Sequence, residues 1–162
     1  MAGDADWFWA EPGRLLAGPY PGAYGDVRAA RARLDALLRA GVTLFLDLTE
    51  AGELEPYAQL LDGRARHVRR PIADMSVTEV AELAATLDEI DAELASGGVV
   101  YVHCWGGCGR TGTAVSAWWV RHGADPFEAL ERYRASARAY TTMRCPQTPE
   151  QEALVLGWRT GS

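Results

Sequence analysis

The sequence predicts an α/β fold in one domain, with a central, mostly parallel sheet of about four or five strands flanked by helices. Short β-rich apolar runs alternate with stretches of helical periodicity along the chain, and no repeat or linker divides them. The 162 residues are enough for one domain with a sizeable core. The composition, 48% hydrophobic and 23% charged, is that of an ordinary globular protein. We therefore expect residues 1–162 to form a single domain.

The first half of the chain predicts three strands and two helices. An apolar run within residues 7–21 indicates a short strand that covers a sheet edge. Helical spacing of apolar residues begins at Asp26 and stops at Gly41. The nearly continuous β-rich run at residues 42–48 is typical of a buried central strand. Two shorter elements follow, a helix over residues 55–62 and a strand over residues 67–69.

The second half predicts a second buried strand among helices. Ser76 and Glu79 have the spacing of a capping box, which predicts a helix that ends at Gly97-Gly98. Residues 99–102 form the next apolar run, and helical periodicity follows over residues 113–122. Two further helix starts have an N-cap residue followed by proline, at Asp125-Pro126 and Thr148-Pro149.

The loop between the strand at 99–102 and the next helix contains the most informative residues. It has the sequence VHCWGGCGRTG over residues 102–112, with Cys104 and Arg110 six positions apart around three glycines. Backbone N–H groups of such a loop and the helix N-terminus attract an anion, and favour the ionised form of a cysteine. An arginine can hold two phosphate oxygens at once. The loop therefore predicts nucleophilic attack on phosphorus, with the phosphate bound by Trp105, Gly106, Gly107, Cys108, Gly109 and Arg110.

The motif H-C-x5-R-[ST], here His103 to Thr111, resembles that of the cysteine-dependent protein tyrosine phosphatases. The chain is most similar to their small dual-specificity branch, of the kinase-associated phosphatase type and its bacterial relatives. The resemblance implies a dual-specificity phosphatase-like fold and hydrolysis of phosphomonoesters through a phosphocysteine on Cys104, without a cofactor. It also implies that Asp74, in a loop 30 residues before Cys104, is the general acid.

Other residues near the motif have two interpretations each. The resemblance implies that Thr111 hydrogen-bonds the leaving thiolate. As a residue of the first helical turn, its hydroxyl could instead bond a backbone group. Asp47, at the end of the central strand, competes with Asp74 for the acid role, although a structural hydrogen-bonding role suits it better. His103 is expected to orient the loop. Gln147 and Gln151 are candidates for positioning water, but Gln151 also has the place of a helix-capping residue.

The three cysteines are an odd number, which favours a reduced, cytoplasmic setting over a disulfide framework. Cys108 could trap an oxidised Cys104 as a disulfide, or it could simply pack beneath the loop. Cys145 is expected to be a plain thiol. No C-x2-C pair accompanies His103, Cys104 and Cys108, so we expect no metal.

Charge and hydropathy limit the partners. The net charge of −6 argues against binding to nucleic acid or anionic membranes, and no apolar run reaches the length of a membrane span. The expected substrate is a phosphorylated protein, on tyrosine and also on serine or threonine. The alternatives are a phosphoinositide or small phosphate ester with the same chemistry, or a non-catalytic phosphate-recognition module. The uncharged loop interior argues against polyanionic substrates, and the presence of Cys104, Arg110 and Asp74 argues against loss of catalysis.

Overall fold

The computed structural model describes residues 6–162 and confirms the predicted fold class. One sheet contains the strands β1 (Phe8–Glu11), β2 (Leu15–Gly18), β3 (Leu44–Asp47), β4 (Arg66–Arg69) and β5 (Val100–His103). The helices are α1 (Val27–Arg39), α2 (Val80–Ala95), α3 (Gly109–Arg121), α4 (Pro126–Ala137) and α5 (Pro149–Leu156). A 3-10 turn, Ala58–Leu61, lies between β3 and β4. Residues 1–5 of the expected domain lie outside the described residues.

The strand order β1-β2-β5-β3-β4 places β5 in the middle of the sheet. β5 pairs in parallel with both β2 and β3, β3 pairs in parallel with β4, and only β1 and β2 are antiparallel. All four residues of β5 are buried. His103, its last residue, lies opposite Asp47 of β3. The chain therefore leaves the sheet at Cys104 in the centre of its C-terminal edge, the edge at which α/β sheets bind ligands.

Each face of the sheet is covered by a separate apolar cluster. On one face α1 and the 3-10 turn bury Leu34, Leu37 and Leu61 against Phe45 and Tyr101. The other face packs against α2, α3, α4 and α5 and includes Val100 and Val102. Successive residues of β5 point to opposite faces, so this single strand contributes to both clusters. The middle position of α3 in its layer explains why its residues from Gly109 to Val120 are all buried.

Helix starts agree with the capping signals at three positions. The Asp26 carboxylate accepts a hydrogen bond from the Ala29 N–H at 2.9 Å. Asp125 caps α4, with proline at the first helical position. Thr148 and Gln151 form a complete capping box at α5. Local side-chain hydrogen bonds thus fix where these helices begin.

Four details of the prediction are wrong at the level of single elements. The run at 14–17 forms β2, which lies inside the sheet because it pairs on both sides, and β1 covers the edge instead. The expected helix at 55–62 is only the 3-10 turn. The helix expected from residue 113 begins at Gly109. The capping box at Ser76 does not form, and α2 begins at Val80.

The reason for the last difference is a competing set of hydrogen bonds. The Ser76 N–H donates to the Ala73 carbonyl, and the Ser76 carbonyl accepts from the Gln151 side chain at 3.1 Å. These bonds hold residues 73–76 in a turn, so the segment cannot join α2. Glu79 takes the N-cap position without a side-chain hydrogen bond. In the described part of the chain, no helix is long and apolar enough to cross a membrane.

Candidate active site

The loop between β5 and α3 brings Cys104 and Arg110 to the centre of the sheet's C-terminal edge. Cys104 is 3% exposed and keeps a free thiol. Arg110 lies in the first turn of α3 and is 1% exposed. The positive end of the α3 dipole therefore faces the same loop as the arginine charge.

Main-chain carbonyls of the loop are held from outside. The Trp105 carbonyl accepts the Tyr20 N–H at 2.8 Å. The Gly107 carbonyl accepts the hydroxyls of Tyr133 at 2.6 Å and Tyr140 at 2.8 Å. By contrast, no backbone N–H of residues 105–111 donates a hydrogen bond to any described residue. Unbonded backbone N–H groups beside a buried cysteine can bind an anion.

Two of the predicted phosphate-binding glycines are required by space or backbone geometry. Gly107 has φ of 69°, and a Cβ there would lie 2.5 Å from the Gly18 carbonyl carbon. A Cβ on Gly109 would lie 2.5 Å from Oε1 of Gln147. The Trp105 side chain is 56% exposed, so its ring lies at the surface while its backbone belongs to the loop.

The Arg110 guanidinium is oriented by a carboxylate that the sequence analysis did not identify. Both terminal nitrogens donate to the Glu53 carboxylate, and Nη1 also donates to the Ile72 carbonyl at 2.8 Å. The Nε–H donates to no described residue. Glu53 thus occupies the end of the guanidinium. Its Nε–Nη2 edge, where Asp74 lies 3.2 Å from Nη2, is the edge that could bind two oxygens of an anion in place of this contact. The hydrogen bonds from Arg110 hold the pKa of Glu53 below its ordinary value, against the opposing effect of burial.

The structure brings Asp74 to the catalytic loop. Its Oδ1 lies 3.2 Å from Nη2 of Arg110 and accepts the Met75 N–H at 2.9 Å. The side chain is half-exposed, so it can exchange protons with water. The position beside the free edge of Arg110 is compatible with the predicted acid role.

Thr111 is fully buried, and its Oγ1 has no hydrogen-bond partner among residues 6–162. A buried hydroxyl without a partner costs free energy, and most buried polar atoms in proteins have one. The backbone-satisfying role considered for Thr111 is therefore not observed. That role belongs instead to Thr113, whose hydroxyl donates to the Gly109 carbonyl.

His103 and Asp47 are buried side by side next to Cys104, 3.9 Å apart, and each has its own hydrogen bonds. His103 contacts the Cys104 carbonyl through Nδ1 at 2.9 Å and the Tyr57 hydroxyl through Nε2 at 2.6 Å. Burial lowers the pKa of His103, although the Asp47 charge opposes the shift. The neutral ring therefore donates to the Cys104 carbonyl and accepts from Tyr57.

Asp47 is 2% exposed and has four hydrogen-bonding partners, the side chains of His67, Arg69 and Thr49 and the Thr49 N–H. Burial acts to raise the pKa of Asp47, but the bond from His67 and the other polar contacts hold it below its ordinary value. Asp47 therefore remains ionised and fully bonded. This is the structural role that the sequence favoured for it.

Gln147 and Gln151 both lie against the catalytic loop at Gly109. The Gln151 Oε1 accepts the N–H groups of Gln147 and Thr148, and its Nε2 donates to Ser76. Its side chain is thus fully used in the capping box and in holding the acid loop. Gln147 remains a candidate for positioning water.

The structure contradicts the expectation that Cys108 and Cys145 are free thiols. Their sulfurs form a disulfide with a Cα–Cα distance of 4.8 Å, and both residues are buried. Cys108 therefore lies beneath the loop as expected, but its sulfur is not available to Cys104. The sequence could not reveal this pairing, because 37 positions separate the two residues.

Sequence reasoning also missed Glu53, Tyr57, Tyr133 and Tyr140, which contact the loop or its neighbours. Glu53 could have been inferred, because it follows β3 and the carboxyl ends of neighbouring parallel strands lie at the same edge. The two tyrosines that bond Gly107 come from α4 and the segment after it, and no local pattern connects them to the loop.

Comparison with known proteins gives one family and a set of similar structures. Residues 7–155 match the family described as Swiss Army Knife protein, DSP-PTPase phosphatase domain. Tk-PTP in its active form is similar with a TM-score of 0.78 and 24% identity over 93% of each chain. Kinase-associated phosphatase has a TM-score of 0.72 and 22% identity, covering 93% of this chain and 90% of the other. PTPMT1 in complex with PI(5)P has a TM-score of 0.71 and 22% identity, covering 93% and 92%.

At these identities the structural similarity shows the fold alone. No curated protein matches the sequence.

Proposed function

Because the chain belongs to the DSP-PTPase family of cysteine-based phosphatases, we propose that it hydrolyses phosphomonoesters of proteins, on phosphotyrosine and also on phosphoserine or phosphothreonine. One observation carries the proposal. The loop that contains buried Cys104 has backbone N–H groups at residues 105–111 without a partner among the described residues, and Glu53 leaves the Nε–H of Arg110 unbonded.

In the first step the Cys104 thiolate attacks phosphorus, so that a sulfur–phosphorus bond forms and the phosphorus–oxygen bond to the leaving group breaks. The loop N–H groups and the free edge of Arg110 stabilise the charge on the phosphoryl oxygens. Asp74 donates its proton to the leaving oxygen. The product alcohol or phenol departs, and phosphocysteine remains.

In the second step water attacks the phosphocysteine. Asp74, now a carboxylate, takes a proton from this water, and the sulfur leaves as thiolate. The unpartnered hydroxyl of Thr111 supplies a hydrogen bond to the departing sulfur. Inorganic phosphate is released and the enzyme returns to its starting state.

The charges near the loop support a substrate with a single phosphate. Arg69 pairs with Asp47 at 3.1 Å, and Arg70 pairs with Glu89 at 3.1 Å. Arg144 pairs with Glu152. These guanidinium groups are therefore already neutralised within the protein. A second or third phosphate of a polyphosphoinositide would find little free positive charge here.

Exposed apolar side chains flank the two catalytic elements. Trp105 follows the nucleophile and is 56% exposed, and Met75 follows the acid and is 50% exposed. An apolar rim favours an aromatic leaving group, which supports phosphotyrosine as the preferred substrate.

Two alternatives have weaker support. PTPMT1, of similar fold, is known in complex with PI(5)P, so a lipid or small phosphate ester with the same chemistry is the second candidate. A non-catalytic phosphate-recognition module would not need Asp74 beside Arg110.

The expected cytoplasmic location stays a prediction, and the Cys108–Cys145 bond weighs against it because disulfides persist mainly in oxidising compartments.

Initial rates on a phosphotyrosine peptide, the matching phosphothreonine peptide and PI(5)P vesicles test the proposal. We expect the phosphotyrosine peptide to have the highest kcat/KM.

Cys104→Ser should abolish turnover of every substrate while phosphate binding persists, and rapid-quench mass spectrometry of wild type should find a phosphoryl group on Cys104. Arg110→Lys should be severely impaired, because an ammonium cannot make the two-pronged contact. Turnover by Cys104→Ser would exclude the covalent mechanism, and a preference for the vesicles would favour the lipid alternative.

A further inference from the structure

The peptide bond between Gly107 and Cys108 is held by three side chains from outside the catalytic motif. Tyr133 of α4 and Tyr140 after it donate to the Gly107 carbonyl, and Cys145 binds the Cys108 sulfur. We propose that Tyr133, Tyr140 and Cys145 are positioning residues for the phosphate-binding loop, and that reduction of the disulfide weakens phosphate binding. The inference rests on the proposed function, since it assumes that this loop binds a phosphoryl group.

The Tyr133 and Tyr140 hydroxyls fix the orientation of the peptide plane between Gly107 and Cys108. In a trans peptide the carbonyl and the following N–H point in opposite directions. When the Gly107 carbonyl faces Tyr133 and Tyr140, the Cys108 N–H is directed away from them. Burial raises the pKa of Tyr133 well above its ordinary value, so its hydroxyl stays a donor.

The loop needs such support because its own sequence is permissive. Gly106 and Gly107 are consecutive, and glycine gains more backbone freedom than any other residue when it is not held. Gly107 also has a positive φ, from which a peptide flip would turn the carbonyl inward. An inward carbonyl would repel the phosphoryl oxygens.

The disulfide holds the next residue and the segment that carries Tyr140. Cys145 is fully buried, and its carbonyl accepts from Nε of Arg134 at 3.1 Å. Arg134 also pairs with Glu152 of α5 at 2.7 Å. The segment after α4 is therefore connected to α4, α5 and the catalytic loop at the same place. Without the disulfide, the cross-link between the catalytic loop and the segment that contains Tyr140 is lost.

Reduction is a two-electron exchange that leaves the nucleophile untouched. A small dithiol gives two electrons and two protons, the Cys108–Cys145 sulfur–sulfur bond breaks to two thiols, and the reductant becomes a cyclic disulfide. Peroxide reverses the change, because it takes the two electrons and two protons and forms water. The Cys104 sulfur has no part in this bond.

The first test removes the hydroxyls. Tyr133→Phe and Tyr140→Phe together should raise the KM and the inhibition constant of inorganic phosphate by roughly tenfold, because both hydrogen bonds to the Gly107 carbonyl are lost. Leaving-group dependence and the basic limb of the pH profile should not change, because Asp74 is not affected. Tyr24→Phe, which removes an exposed hydroxyl, is the matched control. A lower Tm with an unchanged phosphate constant would show a merely structural role and overturn the assignment.

The second test separates the disulfide from Cys104. Maleimide labelling of denatured protein should find one thiol before dithiol treatment and three after it. In the Cys104→Ser background, calorimetry should show that dithiol treatment weakens binding of inorganic phosphate by roughly tenfold, or ~1.4 kcal/mol. Adding Cys145→Ser should give the weak affinity without any dithiol effect. A melting curve of each form checks that it is folded.

The outcomes distinguish this inference from the proposed function. If Cys104→Ser binds no phosphate in either redox state, the proposed function fails. If it binds phosphate equally well in both states, the loop is functional and the disulfide has no positioning role. Three thiols before reduction would remove the redox part of the inference.

Discussion

Arg110 shows how single residues in this site divide their work. One end of its guanidinium is held by Glu53, and the contact at 3.2 Å with Asp74 lies on the Nη2 nitrogen of the free edge. A substrate phosphate that binds this edge therefore comes directly beside the acid. In the proposed mechanism the arginine thus positions the substrate relative to Asp74 as well as stabilising its charge.

Glu53→Gln should lower kcat/KM by roughly 10- to 100-fold, because a charge-assisted pair worth ~1.5–3 kcal/mol no longer orients Arg110. Steady-state kinetics with a phosphotyrosine peptide measure the effect. Glu50→Gln is the matched control, since Glu50 is an exposed carboxylate in the same loop. Equal kinetics of the two variants would contradict a positioning role of Glu53.

Asp74→Asn should lower kcat by roughly 10²–10³-fold on an alkyl phosphate, within the usual contribution of general acid catalysis. The loss should be smaller on p-nitrophenyl phosphate, whose leaving group needs little protonation. The basic limb of the pH–rate profile should also flatten. If both substrates lose the same factor, the acid is another residue, although Asp47 is buried among His67, Arg69 and Thr49.

At the scale of elements, α5 connects the catalytic loop to the acid loop. Its capping residue Gln151 contacts Gly109 on one side and donates to the Ser76 carbonyl on the other. One helix N-terminus thus sets the distance between nucleophile and acid. Because the same side chain belongs to the capping box, the stability of this helix start and the geometry of the site depend on each other.

Thr148→Ala should reduce the free energy of unfolding by ~0.5–2 kcal/mol, as expected for loss of an N-cap. It should also raise KM for substrate, because Gln151 loses its capping partner. Thr148→Ser keeps the capping oxygen and should resemble wild type in both urea denaturation and kinetics. A stability loss shared by the serine variant would mean that the Thr148 methyl group, and not the hydroxyl, is responsible.

At the scale of the whole molecule, the site is built on the best-packed part of the sheet. β5 contributes to both apolar clusters. At its C-terminal end His103 is hydrogen-bonded to Tyr57 and lies 3.9 Å from the Asp47 carboxylate. Burial keeps His103 neutral in the folded protein. Unfolding exposes this ring to water, so the global stability depends on its titration.

The pKa of His103 is lowered on folding, so below its ordinary value of about 6.5 the unfolded chain takes up a proton that the folded protein does not. Stability should therefore be fully present above this pH and fall as pH decreases, by up to ~1.36 kcal/mol per pH unit from this group. Urea denaturation of wild type and His103→Asn between pH 5.5 and 7.5, a range set by roughly one pH unit on either side of the ordinary value, measures it. The variant should show a smaller slope, and identical slopes would mean that His103 titrates alike in both states.

The sequence predicts well what depends on local signals. The N-caps Asp26, Asp125 and Thr148, the buried strands and the catalytic loop follow from short patterns, and the structure contains them. The pattern at Ser76 fails because a residue 75 positions away, Gln151, takes its carbonyl. Local propensity is thus overruled by a contact between distant segments.

The parts of the site that were missed are all long-range contacts. Glu53 and Arg110 are 57 positions apart, and Cys108 and Cys145 are 37 apart. Pairing over such distances depends on the sheet order and on how α4 packs, neither of which leaves a periodic pattern in the sequence. The nucleophile, the arginine and the acid loop carry family motifs, whereas the residues that hold them do not.

The central position of β5 has a consequence for hydrogen exchange. The amides of Val100–His103 lie between two parallel neighbours, so we expect them to exchange with deuterium only when the whole domain opens. The acid loop around Asp74 and Met75 is exposed and should exchange through small local fluctuations. The nucleophile is therefore attached to the slowest-exchanging part of the molecule and the proton donor to one of the fastest.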